Sequence, residues 1–376
     1  MSGDKHPALT DKALIDKDER LLCHDDHPLQ VETPLGVLSQ QAFTPTDALY
    51  IRNNQTILPD IPTDCPLQIS TPAGQIILAK SDVERLASQG HWQETSLVLQ
   101  CAGNNRVSFE QFAPVAGSLW HSGAVANVVL AGVPVRALFA EAGLELPKQG
   151  YLTALGYVSG DDVAFERSVP LADVIDTAFV ALTLNGQPLT HLHGGPLRLV
   201  VPGYYAVNNV KWLAHLAVTE RPTQGFYQIE RYRLPHTPLT PGSDFTPSED
   251  NSRPSWRQKV KSLFWSPVAN VKRGTVLFAG IAWTDGRSAI SKVELSFDAG
   301  ETDAGGTWIE AVLEPPHSPY AWTRWHHSQL LAPGDVTVWL RATDSLGNQQ
   351  PVSGEADWNP RGYEWNAIEK MSVLVE

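Results

Sequence analysis

The chain has 376 residues, 42% of them apolar and 18% charged, which is enough apolar sequence for two soluble domains with separate cores. Its net charge of −13 argues against a general binder of nucleic acid or anionic membranes, and any anionic substrate must meet a local arginine cluster. Three cysteines, Cys23, Cys65 and Cys101, make no disulfide framework, and without CxxC or CxxCH neither a zinc ribbon nor covalently attached haem is expected.

Residues 1–27 read as a loose polar arm with no apolar export signal. A cytoplasmic protein is expected, or a periplasmic one if the sequence is a mature form. No apolar run is long enough to span a bilayer. Pro28 to Gln40 reads as extended and turn-rich. In the stretch Phe43 to Asn54, Thr46 or Asp47 is expected to cap one helical turn before a short strand, Leu49 to Ile51, with Arg52 at its end. A hairpin follows at 67–80 around Pro72-Ala-Gly74. Ser81 is expected to cap a helix through Val83, Leu86 and Ala87.

The apolar run Ser96 to Leu99 reads as a buried strand that ends in Gln100-Cys-Ala-Gly-Asn-Asn-Arg106. This places Cys101 where a rigid strand stops and the chain bends away. Arg106 brings positive charge near the sulfur, and a cation beside a cysteine favours the thiolate, the form that ligates metals. A lone cysteine is also one of the most buried residue types, so a small core hydrophobe is the alternative. Trp120 follows in a Gly-rich setting, and Val133 to Ala142 reads as a short helix ended by Gly143. Residues 151–190 read as strands, with a short helix near Leu171 to Ile175 and a type I′ turn at Asn185-Gly186. The loop pair Asp161 and Asp162 reads as solvated.

The block His193-Gly-Gly-Pro-Leu-Arg198 to Lys211-Trp212 places His193, Arg198 and Lys211 around one strand pair, Leu197 to Val201 and Val210 to Ala217. An arginine fork, a lysine point charge and glycines that admit backbone N–H groups suit a phosphate. Residues 236–255, rich in Pro, Thr and Ser, read as an interdomain linker. From 256 to 376, strand-like runs alternate with Asp-Gly, Ala-Gly and Pro-Gly turns, the pattern of an immunoglobulin-like β-sandwich.

These motifs, in this order, resemble the sulfite oxidase family of molybdenum-cofactor (molybdopterin) oxidoreductases. The resemblance covers roughly residues 28–376. It departs from the family pattern at Asn54, where His is usual, at Asn105, where Arg is common, and at His121, where Asp is frequent. It implies an α+β architecture: a mixed α/β molybdopterin domain over 28–235, then an immunoglobulin-like dimerisation domain over 256–376. It implies that Cys101 ligates molybdenum. Arg52, Asn53, Asn54, His193, Arg198, Asn209 and Lys211 would bind the cofactor. Arg52, Arg106, Trp120, Tyr232 and Arg361 would form the substrate pocket. The implied reaction is oxidation of sulfite to sulfate by oxo transfer. With no haem module in the chain, electrons would pass to an external acceptor, such as a c-type cytochrome. A homodimer is implied. Nitrate reduction, or oxidation of another reduced sulfur compound, is the alternative within the family, and a non-catalytic binding protein is the alternative outside it.

Overall fold

The computed structural model describes residues 17–39, 41–56, 58–267, 270–298 and 306–376. Strands dominate and the helices are short, in an α+β arrangement of two domains. Among the described residues no helix is long and apolar enough to cross a membrane.

The first domain carries two five-stranded sheets. One has the central strands Leu67–Thr71, Leu213–Thr219 and Tyr151–Gly156, with Gly74–Leu78 and Glu166–Pro170 at its edges. The other places Gln93–Gln100 beside Val125–Pro134, then Phe179–Leu184, which also pairs with Arg198–Val200. Valines and leucines that alternate along these strands meet in one core with helices Lys80–Ser88 and Val135–Glu141. A smaller core holds Leu97, Leu99, Cys101, Trp120 and Tyr50.

Several local expectations shift by a few residues, each for a visible reason. The helix expected from Ser81 starts at Lys80, where the Asp82 carboxylate accepts the Ala79 N–H at 2.9 Å. The helix expected from Val133 starts at Val135, because Val133 and Pro134 still pair with Val180 and Phe179. The strand expected from Val210 starts at Leu213, because Trp212 sits at φ +51°, outside strand geometry. Asn185 and Gly186 both have positive φ, as a type I′ turn demands. The stretch read as an arm holds strand Leu22–Asp26, which pairs with Leu29–Glu32. The stretch read as a linker holds strand Ser252–Pro254, paired with Arg233–Pro235.

The second domain is a sandwich of two four-stranded sheets. Lys261–Ser266, Gly274–Trp283 and Thr323–Leu331 lie in one, and Ile290–Ser296, Gly334–Asp344 and Glu369–Val375 lie in the other. Phe278, Val293, Leu295, Trp325 and Leu340 fill the space between them. A mixed cluster joins the domains: Leu38, Val98 and Val125 pack on Leu263, Ile281, Trp283 and Trp322. The Trp283 indole N–H donates to Gln100 Oε1 at 3.0 Å, so the strand that ends at Cys101 is fixed from both domains.

Candidate active site

A cavity opens where the Cys101 strand ends, with about 750 Å³ of empty space when the solvent at its mouth is included. Its wall includes Tyr50, Arg52, Asn53, Asn54, Cys101 and Tyr232. His193, Arg198, Asn209 and Lys211 also line it. Residues from five separate stretches of sequence therefore meet in one place, and nine of the twelve expected site residues are on its surface.

The floor is built by the Cys101 turn. Cys101 is a free, buried thiol whose sulfur accepts the Gly103 N–H at 3.4 Å. Asn105 takes the left-handed conformation (φ +61°), which Asn tolerates better than an arginine would. Its side chain donates to the partly buried Glu369 at 3.0 Å, and Lys261 donates to Asn104 Oδ1 at 2.7 Å. Burial raises the Glu369 pKa and lowers that of Lys261, and the attraction between the two groups opposes both shifts. The turn thus rests on a polar support from the second domain.

One end of the cavity is cationic. Lys211 Nζ donates to Asn53 Oδ1 and to the Leu192 carbonyl, both at 2.8 Å. Arg198 Nη1 donates to the His193 carbonyl at 3.0 Å. Lys17 Nζ stands 2.7 Å from His193 Nε2 and donates to the Thr46 carbonyl at 2.6 Å. Burial and mutual repulsion push His193 and Lys211 well below their ordinary pKa values. Burial brings Lys17 to about 7 and Arg198 to about 10. Among the described residues, Arg198 Nε and Asn53 Nδ2 are buried with no hydrogen-bond partner. Concentrated cations with orphaned donors are the arrangement expected of an anion site. Asn209, also on the wall, is held in place by its Oδ1, which accepts the Val201 N–H at 2.7 Å.

The other end mixes guanidinium groups with phenols. Arg52 reaches Tyr232 Oη at 3.4 Å, and Tyr232 Oη donates to Asn54 Oδ1 at 3.1 Å. Asn54 therefore orients the pocket tyrosine. Tyr232 stacks on Tyr363 of the second domain with centroids 5.0 Å apart.

Arg106, Trp120 and Arg361 do not line the cavity. Arg106 lies behind the turn, its guanidinium 5.5 Å from the Tyr363 ring and donating to the Ser118 carbonyl at 2.9 Å. A Cβ on Gly103 or Gly117 would come within 2.5 or 2.6 Å of it, so those glycines make its room. Burial lowers the Arg106 pKa. Trp120 is fully buried against His24, with ring centroids 4.8 Å apart. Arg361 is partly buried in a segment docked on the first domain, where the Pro360 carbonyl accepts the Ala116 N–H at 2.8 Å. From that segment Tyr363, rather than Arg361, makes the ring contact with the pocket. Sequence reading also missed Lys17 and Arg167, which lies 5.8 Å from the Tyr232 ring. No local motif marks these residues.

A free thiol facing a cluster of cations with orphaned donors fits a group that carries both a thiol-binding metal and a phosphate. Comparison with known proteins agrees. Residues 78–227 match the oxidoreductase molybdopterin binding domain, and residues 259–376 match the Mo-co oxidoreductase dimerisation domain. Mitochondrial sulfite oxidase of Drosophila melanogaster is 29% identical over 93% of this chain, which spans 62% of that protein's length. The human mitochondrial sulfite oxidase is 29% identical over 94% of the chain, which spans 66% of it. A tomato (Solanum lycopersicum) NADH nitrate reductase is 26% identical over 93% of the chain and 40% of its own length. The crystal structure of the sulfane dehydrogenase SoxCD from Paracoccus pantotrophus superposes with a TM-score of 0.76 at 23% identity, covering 100% of this chain and 92% of that one.

Proposed function

Since the chain belongs to the sulfite oxidase family of molybdenum-cofactor oxidoreductases, we propose that it oxidises sulfite to sulfate and passes the electrons to an external acceptor. The observation that carries this reading is the joint placement of the Cys101 thiol, the cationic end and the Arg52–Tyr232 pair on one cavity. When bound, the molybdenum–pterin group supplies the two-electron redox and oxygen-transfer chemistry.

The protein's part follows from its own atoms. Cys101 Sγ is the metal ligand. His193, Arg198 and Lys211 hold the phosphate, which relieves their mutual repulsion. Arg52 supplies a fixed guanidinium for a small oxyanion, and Asn54 holds the Tyr232 hydroxyl beside it. Arg106, one residue layer behind, adds positive potential that favours anion entry. A homodimer through the second domain and a small redox protein as acceptor complete the proposal.

A second reading, oxidation of a different reduced sulfur anion, is favoured by Phe165 and Tyr232 on the cavity wall, which Tyr227 and Tyr363 back from behind. The edges of aromatic rings are positive and accept polarisable, negatively charged sulfur. The test is molybdenum content by mass spectrometry, together with ferricyanide reduction by sulfite and by thiosulfate. Molybdenum-loaded protein that reduces ferricyanide with thiosulfate alone selects the second reading. Loaded protein inert to both overturns the proposal.

A further inference from the structure

Away from the cavity, two imidazoles and a carboxylate converge. His24 comes from strand Leu22–Asp26, Glu32 ends strand Leu29–Glu32, and His121 lies in the loop before strand Val125–Pro134. We propose that His24, Glu32 and His121 form a second metal site, which takes one divalent transition-metal ion of the zinc type. It does not depend on the cofactor reading.

The donor atoms all lie within 4.8 Å of one another. His24 Nε2 is 2.6 Å and His121 Nδ1 is 3.7 Å from Glu32 Oε2. Imidazole with carboxylate is the donor set of zinc. Calcium and magnesium ask for oxygen alone, and copper(I) asks for sulfur. Tetrahedral zinc with bonds of about 2.1 Å sets its ligand atoms about 3.4 Å apart. From a separation of up to 4.8 Å the His121 ring therefore has to swing inward by roughly 1.4 Å, and its side chain, 64% exposed, is free to do so.

The other two ligands are held close by, and their pair, 2.6 Å apart, has to open by about 0.8 Å to admit the ion. Glu32 is buried, with Oε1 accepting the Gly123 N–H at 2.7 Å and Oε2 accepting the His121 N–H at 3.0 Å. Such backbone contacts orient a ligating carboxylate. Burial pushes the Glu32 carboxyl up, but hydrogen bonds from His121, His24 and the backbone outweigh it and bring the pKa down to about 2. The His24 ring leans on Trp120. On binding, the ion takes the place of the hydrogen bond between His24 Nε2 and Glu32, and the neutral His24 ring carries its proton on Nδ1. The exposed side of His121 leaves the remaining positions to water. The ion would tie the Leu22–Glu32 hairpin to the loop whose Ser118 carbonyl holds Arg106.

The test is calorimetric titration of the purified full chain with Zn²⁺, with Co²⁺ absorption as the second readout. One ion per chain is expected. His121→Ala, a substitution at an exposed side chain, should weaken it at least about tenfold, and His24→Ala combined with His121→Ala should remove it. The cobalt spectrum should lack sulfur-to-metal charge transfer. Absence of stoichiometric uptake, unchanged affinity in His121→Ala, or a thiolate band from Cys23, Cys65 or Cys101 would each overturn the site. Molybdenum content measured alongside separates this result from the cofactor assignment.

Discussion

The two ends of the cavity solve opposite problems. At the His193 end, Lys17, Arg198 and Lys211 are crowded together, and among the described residues buried polar atoms are left without partners. That end is electrostatically incomplete until an anion arrives. At the Tyr232 end, the guanidinium groups of Arg52 and Arg106 meet hydroxyls, carbonyls and aromatic rings, with only Arg106 Nε left without a partner among the described residues, and the Tyr232–Tyr363 stack backs the wall. That end is assembled in advance. The first is made by one domain, and the second needs both. A tightly held group calls for unmet charge, whereas a transient substrate calls for a rigid, partly satisfied pocket.

The comparison can be broken most directly at its midpoint. Cys101→Ser should fold and keep its phosphate site but lose turnover on the order of a thousandfold or more, together with the thiolate-to-metal absorption. Normal turnover would remove the thiol from the site. Cys65→Ser should leave turnover nearly unchanged, since Cys65 sits in the apolar core of the first domain.

At the anchoring end, Arg198→Ala removes a charge-assisted contact of about 1.5–3 kcal/mol, roughly ten- to a hundredfold in cofactor retention. Purified variant protein should be molybdenum-poor, and wild-type occupancy would contradict the anchor role.

At the substrate end, Arg361→Met and Tyr363→Leu separate two claims about the second domain. The family resemblance predicts roughly a tenfold or larger loss of kcat/KM for Arg361→Met with molybdenum content unchanged. The stacking geometry predicts a smaller loss for Tyr363→Leu, about fivefold for the removal of one ring pair worth about 1 kcal/mol. If only the tyrosine variant responds, the second domain serves the pocket through its ring contact.

The smallest effect is thermal. In cofactor-free protein, Lys17, His193 and Lys211 have folded pKa values below their unfolded ones, so the unfolded chain binds more protons and stability rises with pH through that range. Inorganic phosphate should therefore raise Tm by a few degrees, more at pH 6 than at pH 9. An equal shift at both pH values would mean that these cations do not face the anion.

Much of this was legible in the primary structure. The Gln100–Arg106 turn, the His193–Lys211 block and the change of character after residue 256 each combine residue types whose chemistry is local, and the structure brings them together at the cavity and the sandwich. Tyr363 and Lys17 were not legible, because each acquires its role only by a contact across more than a hundred residues. Arg361 shows the converse. Its motif pointed to the pocket, but the fold turns the ring two residues later toward Tyr232 and leaves the arginine outside the lining. Sequence determines which groups are available and which turns and strands they occupy, because those depend on neighbours in the chain. Which groups share a dielectric, repel one another or stack is decided only when distant strands pack, since such energies depend on distances that no local pattern encodes.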